Sequence, residues 1–134
     1  MLIYNKREKK EMKEHRIEYV FKHVSPTILW HHVSTINGLA KWYCDNCDRT
    51  DDVFTFAWAE SEEQAKVVSC TDGKQIRFHF EGDDESAFFE FAIEVNPLTK
   101  DVTLVVRENT DETEEDTQRF WDCQIEKLRK SAGL

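Results

Sequence analysis

Two thiols stand three residues apart at Cys44 and Cys47, in the run WYCDNCD. That spacing suits half of a zinc site or a dithiol redox centre. A zinc ion would need two further ligands, from His31, His32, His79, Cys70 or Cys123. None of these forms a second close pair with ligand spacing, and the adjacent His31 and His32 point to different faces of a helix. A redox thiol needs a lowered pKa, whereas Asp45 and Asp48 flank the pair and negative neighbours oppose a thiolate. The local pattern therefore favours a packing role, with one cysteine turned inward and its partner in a turn. The four cysteines are expected as reduced thiols.

The remaining candidates are weaker. His31 and His32 could form an acid–base or metal pair. The helical spacing instead puts His32 on an inner edge and His31 outside it. His79 alternates with Phe78 and Phe80, which sends it to the opposite face of a strand. Asp83, Asp84 and Glu85 lack the spacing of a calcium loop, and the acidic run 111–116 reads as a loop and a helix start. No Ser/His/Asp arrangement or phosphate-binding glycine loop is visible, and the chain has four glycines in all. Catalysis gains no positive support, and no cofactor or metal is implied.

These residues must be positioned by elements the sequence spells out. RIEYVFK alternates Ile17, Tyr19 and Phe21 with polar residues, as a strand with one buried face does. Ser25 and Pro26 then open a helix as N-cap and first residue. Ile28, Leu29, His32, Val33 and Ile36 share one face, Asn37-Gly38 closes the helix, and LAKWY forms a second short one. From residue 51 onward the period is two. VFTFAW, the weaker EEQAKVVSC, KQIRFHF, AFFEFAIEV and VTLVVRE are successive strands, separated by Asp72-Gly73, GDDES and NPLTKD. Thr113 caps a long terminal helix that begins with acid and ends with base, as the helix dipole favours. Its inner stripe is Thr117, Phe120, Trp121, Gln124, Ile125 and Leu128. Hairpin-linked strands give an antiparallel sheet, and the terminal helix is available to cover its apolar face.

The chain has 134 residues and a net charge of −9, which argues against a general nucleic-acid binder. Residues 1–16 hold six Lys/Arg against three Glu, so the rest carries −12. Residues 1–15 are read as a solvated or helical lead, with Met12 an alternative start, and 16–134 as the domain. The apolar opening MLIY is too short for a secretory signal, and no run approaches a membrane span. A cytosolic protein without membrane insertion is expected.

Order and spacing together resemble the START-like (SRPBCC) superfamily, in particular its branch related to activators of the heat-shock chaperone ATPase. The residues that carry the resemblance are VSPTILWHHVSTINGLAKWY, VFTFAW and EEDTQRFWDCQIEKLR, over roughly residues 16–131. The branch shows SP-x-x-LW, then Gly-Leu-x-x-Trp, and a Trp in the late helix. The resemblance implies an α+β helix-grip fold: a curved antiparallel sheet of about six strands around a long C-terminal helix, with two short helices after the first strand. It also implies a cavity between sheet and helix. Members bind lipids, sterols, polyketides or other apolar molecules, a few are enzymes, and the chaperone-related members bind a protein partner. The acidic, cysteine-bearing WYCDNCDRTDD departs from a plain pocket.

The expected cavity lining is Trp42, Phe54, Phe56, Trp58, Phe78, Phe80, Phe89, Phe91, Phe120 and Trp121, with Gln124 to orient a ligand. A solid aromatic core with no space is the competing reading. The expected function is non-enzymatic binding of an apolar or amphipathic small molecule. A protein-interaction module resembling the chaperone activators is the alternative, with an enzyme acting through His32 the third. Oligomeric state and partner identity stay open.

Overall fold

The computed structural model describes residues 11–133. The sheet is seven-stranded and antiparallel: β1 (Lys13–Phe21), β2 (Asn46–Thr50), β3 (Val53–Trp58), β4 (Ser61–Thr71), β5 (Gln75–Phe80), β6 (Phe88–Val95) and β7 (Val102–Thr110). Strand order is β1-β7-β6-β5-β4-β3-β2, so only β1 crosses over, pairing with the last strand. Between β1 and β2 lie α1 (Pro26–Ser34) and α2 (Ile36–Leu39), and α3 (Glu114–Ala132) ends the chain. This is the helix-grip arrangement, with one strand more than expected.

The extra strand is β2. Its only buried residue is Cys47, and it pairs with β3 alone. Without a run of apolar residues in alternation it looks like an acidic loop in the sequence. Asp48 and Arg49 are the kind of charged residues that keep an edge from recruiting another strand. Strand β1 begins at Lys13, before the Arg16 at which alternation becomes visible. The rest of the expected N-terminal lead, residues 1–10, lies outside the described residues.

The helical corner follows different rules from those expected. Ser25 does cap α1, accepting hydrogen bonds from the N–H groups of Thr27 and Ile28. Asn37-Gly38, however, does not end that helix. Thr35 does, in extended conformation, and its Oγ1 accepts from Gly38 N at 2.9 Å to start α2. LAKWY is correspondingly not a second helix: only Leu39 belongs to α2, and the chain turns through Ala40–Tyr43. Gly38 is required for close approach, since an added Cβ would lie 2.1 Å from His31 O. Ile28 is 51% exposed and leaves the inner face to Leu29, His32 and Val33.

Helix α3 is capped by Thr113, whose Oγ1 accepts from Asp116 N at 3.1 Å, and ends at Gly133 with φ 73°. Thr117, Trp121, Ile125 and Leu128 face the sheet. At its far end Arg129 donates to Val20 O at 3.0 Å and sits 4.1 Å over the Phe21 ring, fastening the helix to β1.

Candidate functional site

The inner sheet face meets α3 in a continuous aromatic layer. Phe54, Phe56, Phe78 and Phe91 have no exposed surface, and Trp121 and Phe89 almost none. Phe78 stacks on Phe89 with centroids 4.9 Å apart, Phe54 meets Phe78 edge-on at 5.1 Å, and Phe91 meets Trp121 edge-on at 5.6 Å. Such contacts give a close-packed interior in which the rings occupy the space between sheet and helix. Phe80 packs at the margin of this layer, 5.2 Å from Phe89.

Phe120 does not join the lining. It is 47% exposed and touches Trp121 edge-on from outside. One residue is about 100° of helical rotation, so Phe120 cannot share the stripe that Trp121 occupies. Gln124 does lie on the inner side, and its buried Oε1 has no hydrogen-bond partner among the described residues.

Open space lies at the periphery. A cleft of about 550 Å³ sits where the turn after α2, the end of β3 and the last turns of α3 converge. Trp42, Tyr43 and Trp58 contribute its aromatic side. Trp42 is locked by an Nε1 bond to His32 O at 2.8 Å, and Trp58 by an Nε1 bond to Tyr43 O at 3.0 Å. Lys41, Lys127 and Lys130 bring three positive charges to the same cleft, with Asp45 the acidic residue in the lining. None of the three lysines is in an ion pair among the described residues. Burial pushes the Tyr43 hydroxyl's pKa well up, keeping it neutral.

Cys44 also borders this cleft. Both Cys44 and Cys47 are buried, at 6% and 8% exposure, and both are free thiols. The expected division, one inward and one in a turn, is thus half right: Cys44 is in the turn, and both point inward. Cys44 Sγ donates to Leu39 O at 3.7 Å, and the neighbouring Cys44 sulfur together with burial pushes the Cys47 thiol's pKa well up. Among the described residues no group of three or more His, Cys, Asp or Glu could hold a metal ion.

His32 is buried against its own helix, with Nδ1 2.9 Å from Ile28 O. His31 is exposed, and His79 is tied to Ala87 O at 2.7 Å on the outer sheet face. A half-buried acid that the sequence does not advertise is Glu108 on β7. Its register partners are His15 on β1 and Phe89 on β6, and it accepts from Trp121 Nε1 at 2.8 Å. Burial raises its pKa. Only the cross-strand register, which is not visible in a single segment, would have marked it.

This geometry defines a helix-grip domain with a filled aromatic core and a basic cleft at one corner. A model of the START-like superfamily domain matches residues 8–134, and the chain belongs to that superfamily. A Bacteroides fragilis protein solved by NMR is 31% identical, with 92% of this chain and 93% of that one aligned and a TM-score of 0.68. The Aha1 dimer from Colwellia psychrerythraea is similar in fold at 15% identity, covering 90% and 92%, with a TM-score of 0.64. CalU16 from Micromonospora echinospora is similar at 12% identity, covering 91% and 77%, with a TM-score of 0.68. Among curated proteins none matches. No helix among the described residues is long and apolar enough to cross a membrane.

Proposed function

We propose that the protein is a non-enzymatic binding domain for a small amphipathic anion, held in the corner cleft rather than between sheet and helix. The observation that carries this reading is the meeting of three lysines with Trp42, Tyr43 and Trp58 in one cleft of a chain charged −9 overall. Lysines concentrated against the general charge attract a carboxylate or phosphate, and the aromatic wall suits an apolar body. A START-like membership agrees with an apolar or amphipathic ligand. Trp58 is the natural reporter, because it is only half-buried at the cleft.

The test is titration of tryptophan fluorescence with fatty and aromatic carboxylic acids and their neutral amides, beside native mass spectrometry of freshly purified protein. Acids should bind more tightly than amides, and a Lys127→Glu/Lys130→Glu variant should lose at least about tenfold in affinity, roughly 1.4 kcal/mol. Equal binding of acids and amides, or an unaffected variant, overturns the reading.

A protein-interaction role is the second reading, favoured by Phe120. Its exposed ring stands on α3 beyond the acidic residues Glu114, Glu115 and Asp116 of the first turn. An apolar anchor near acid fits a basic partner surface, whose association would weaken with salt. Capture of a partner at low salt by the wild type but not by Phe120→Asp would support it, and equal capture by both would count against it.

A further inference from the structure

We propose that two copies of this chain pair through the free edge of β1, antiparallel and about a two-fold axis at Ile17, so that their sheets become one. Strand β1 ends the strand order, and its far side has no neighbour among the described residues. Along a strand, backbone groups point alternately to one side and the other. Val20 O is taken by Arg129 of α3 at 3.0 Å. That carbonyl marks Val20, and with it Glu18, Arg16 and Glu14, as the residues whose backbone groups point away from β7. All four are exposed, whereas Ile17 and Tyr19 are half-buried and Phe21 is buried.

Charge then selects the register. With the axis at Ile17, Arg16 lies across from Glu18 of the second copy, and Glu18 across from its Arg16. Moving the axis by one residue, to Arg16 or to Glu18, sets like charge against like. Within one chain Arg16 and Glu18 already form an ion pair, each about half exposed, and Arg16 also reaches Glu94 at 3.4 Å. Pairing about Ile17 closes these charges into an alternating square, in an isologous contact that satisfies itself. The opposite edge, β2, has no such solution. Asp48 and Arg49 are adjacent, so their backbone groups point to opposite sides and no ladder sets one across from the other. The charges of β2 keep its edge closed, and those of β1 complement a second β1.

The joint is short. Arg129 closes the edge at Val20, and Arg107 holds the Glu14 carboxylate at the other end. What remains is the Arg16–Glu18 ladder on either side of Ile17. A contact of this size gives a weak dimer that forms with concentration, and its exposed charges make it sensitive to salt. No residue lining the corner cleft belongs to β1, so the pairing stands whatever the cleft binds.

The experiment is sedimentation velocity of the full chain over a wide concentration range. At low salt the sedimentation coefficient should climb toward that of a dimer, and less so at high salt. Arg16→Glu sets acid against acid at both pairs and should weaken association at least about tenfold. Arg16→Glu/Glu18→Arg restores opposite charges and should return association to within about threefold of wild type. A second measurement needs no variant. The amides of Arg16 and Glu18 should exchange with deuterium more slowly in concentrated than in dilute protein, while those of Ile17 and Tyr19, which point to β7, should not change. A chain that stays monomeric throughout, a single variant that associates like wild type, or a double variant no tighter than the single one overturns the proposal. So do Arg16 and Glu18 amides whose exchange ignores concentration.

Discussion

Trp121 on α3 donates its indole N–H to Glu108 on β7 at 2.8 Å, under the helix and against the sheet. The bond ties the gripped helix to the last strand from within, and it holds a carboxylate where burial raises its pKa. A folded-state pKa above the unfolded one means the folded protein holds the proton more tightly. The ionised carboxylate therefore lowers stability as pH rises from the ordinary carboxylate range through the raised value.

Glu108→Gln keeps an acceptor for Trp121 and removes the charge. Urea unfolding across mildly acidic to neutral pH should show a flatter stability profile than the wild type, with the variant more stable at the neutral end. His15, whose positive charge would favour the carboxylate, and Glu112 and Asp83, which oppose it, face the same group. Parallel profiles for variant and wild type would exclude Glu108 as the source of the slope.

The outer sheet face hides a second acid. Glu90 is 3% exposed and accepts from Arg77 Nε at 2.8 Å, Gln75 Nε2 at 3.0 Å and Arg107 Nη1 at 3.2 Å. Arg77 in turn lies 3.7 Å over the Phe88 ring. Removing Glu90 strands the Arg77 guanidinium, which is only about a third exposed, and leaves Arg107 with Glu14 as its remaining carboxylate partner. Glu90→Ala should cost about 1–3 kcal/mol, less than a fully buried pair because the arginines keep some water. A chemical-denaturation midpoint unchanged from wild type would show the network to be energetically idle.

Two phenylalanines separate core from surface. Phe78→Ala should lose about 3–5 kcal/mol, because the neighbouring rings cannot close the hole. Phe120→Ala, on the solvent side of α3, should stay within about 1 kcal/mol of wild type. Similar losses for both would contradict the filled core and the outward placement of Phe120 together.

Gly38→Ala tests the α1–α2 corner. The new methyl would meet His31 O and the His32 backbone, which belong to a capped helix and cannot swing aside. A loss of about 2–3 kcal/mol is expected from such overpacking. Because Trp42 hangs from His32 O, its fluorescence should shift as well. A stable variant with unshifted emission would show that the corner yields easily.

Much of this architecture was legible in the linear chain. Period-two alternation marks β1 and β3 to β7, since side chains on a strand alternate whatever lies beside it. Ser25 and Thr113 mark their helix starts because capping is a local hydrogen bond. The same locality explains the failures. β2 has only Cys47 buried, so its strand character comes from pairing with β3 and leaves no pattern of its own. Glu90 alternates like a solvent-facing residue, and only Arg77 and Arg107, brought alongside it in β5 and β7, bury it. Phe120 passes for an inner residue because a helical stripe has blurred margins until the sheet selects its centre.

The sequence by itself determined which segments turn an apolar face and in what order they come, because those preferences arise within a few bonds of each residue. Tertiary structure decided whether the rings would leave a hollow or fill it, which acids would be shielded, and that Cys44 would open onto a lysine-lined cleft. Each of those outcomes depends on distances between residues far apart in the chain, which local preference does not encode.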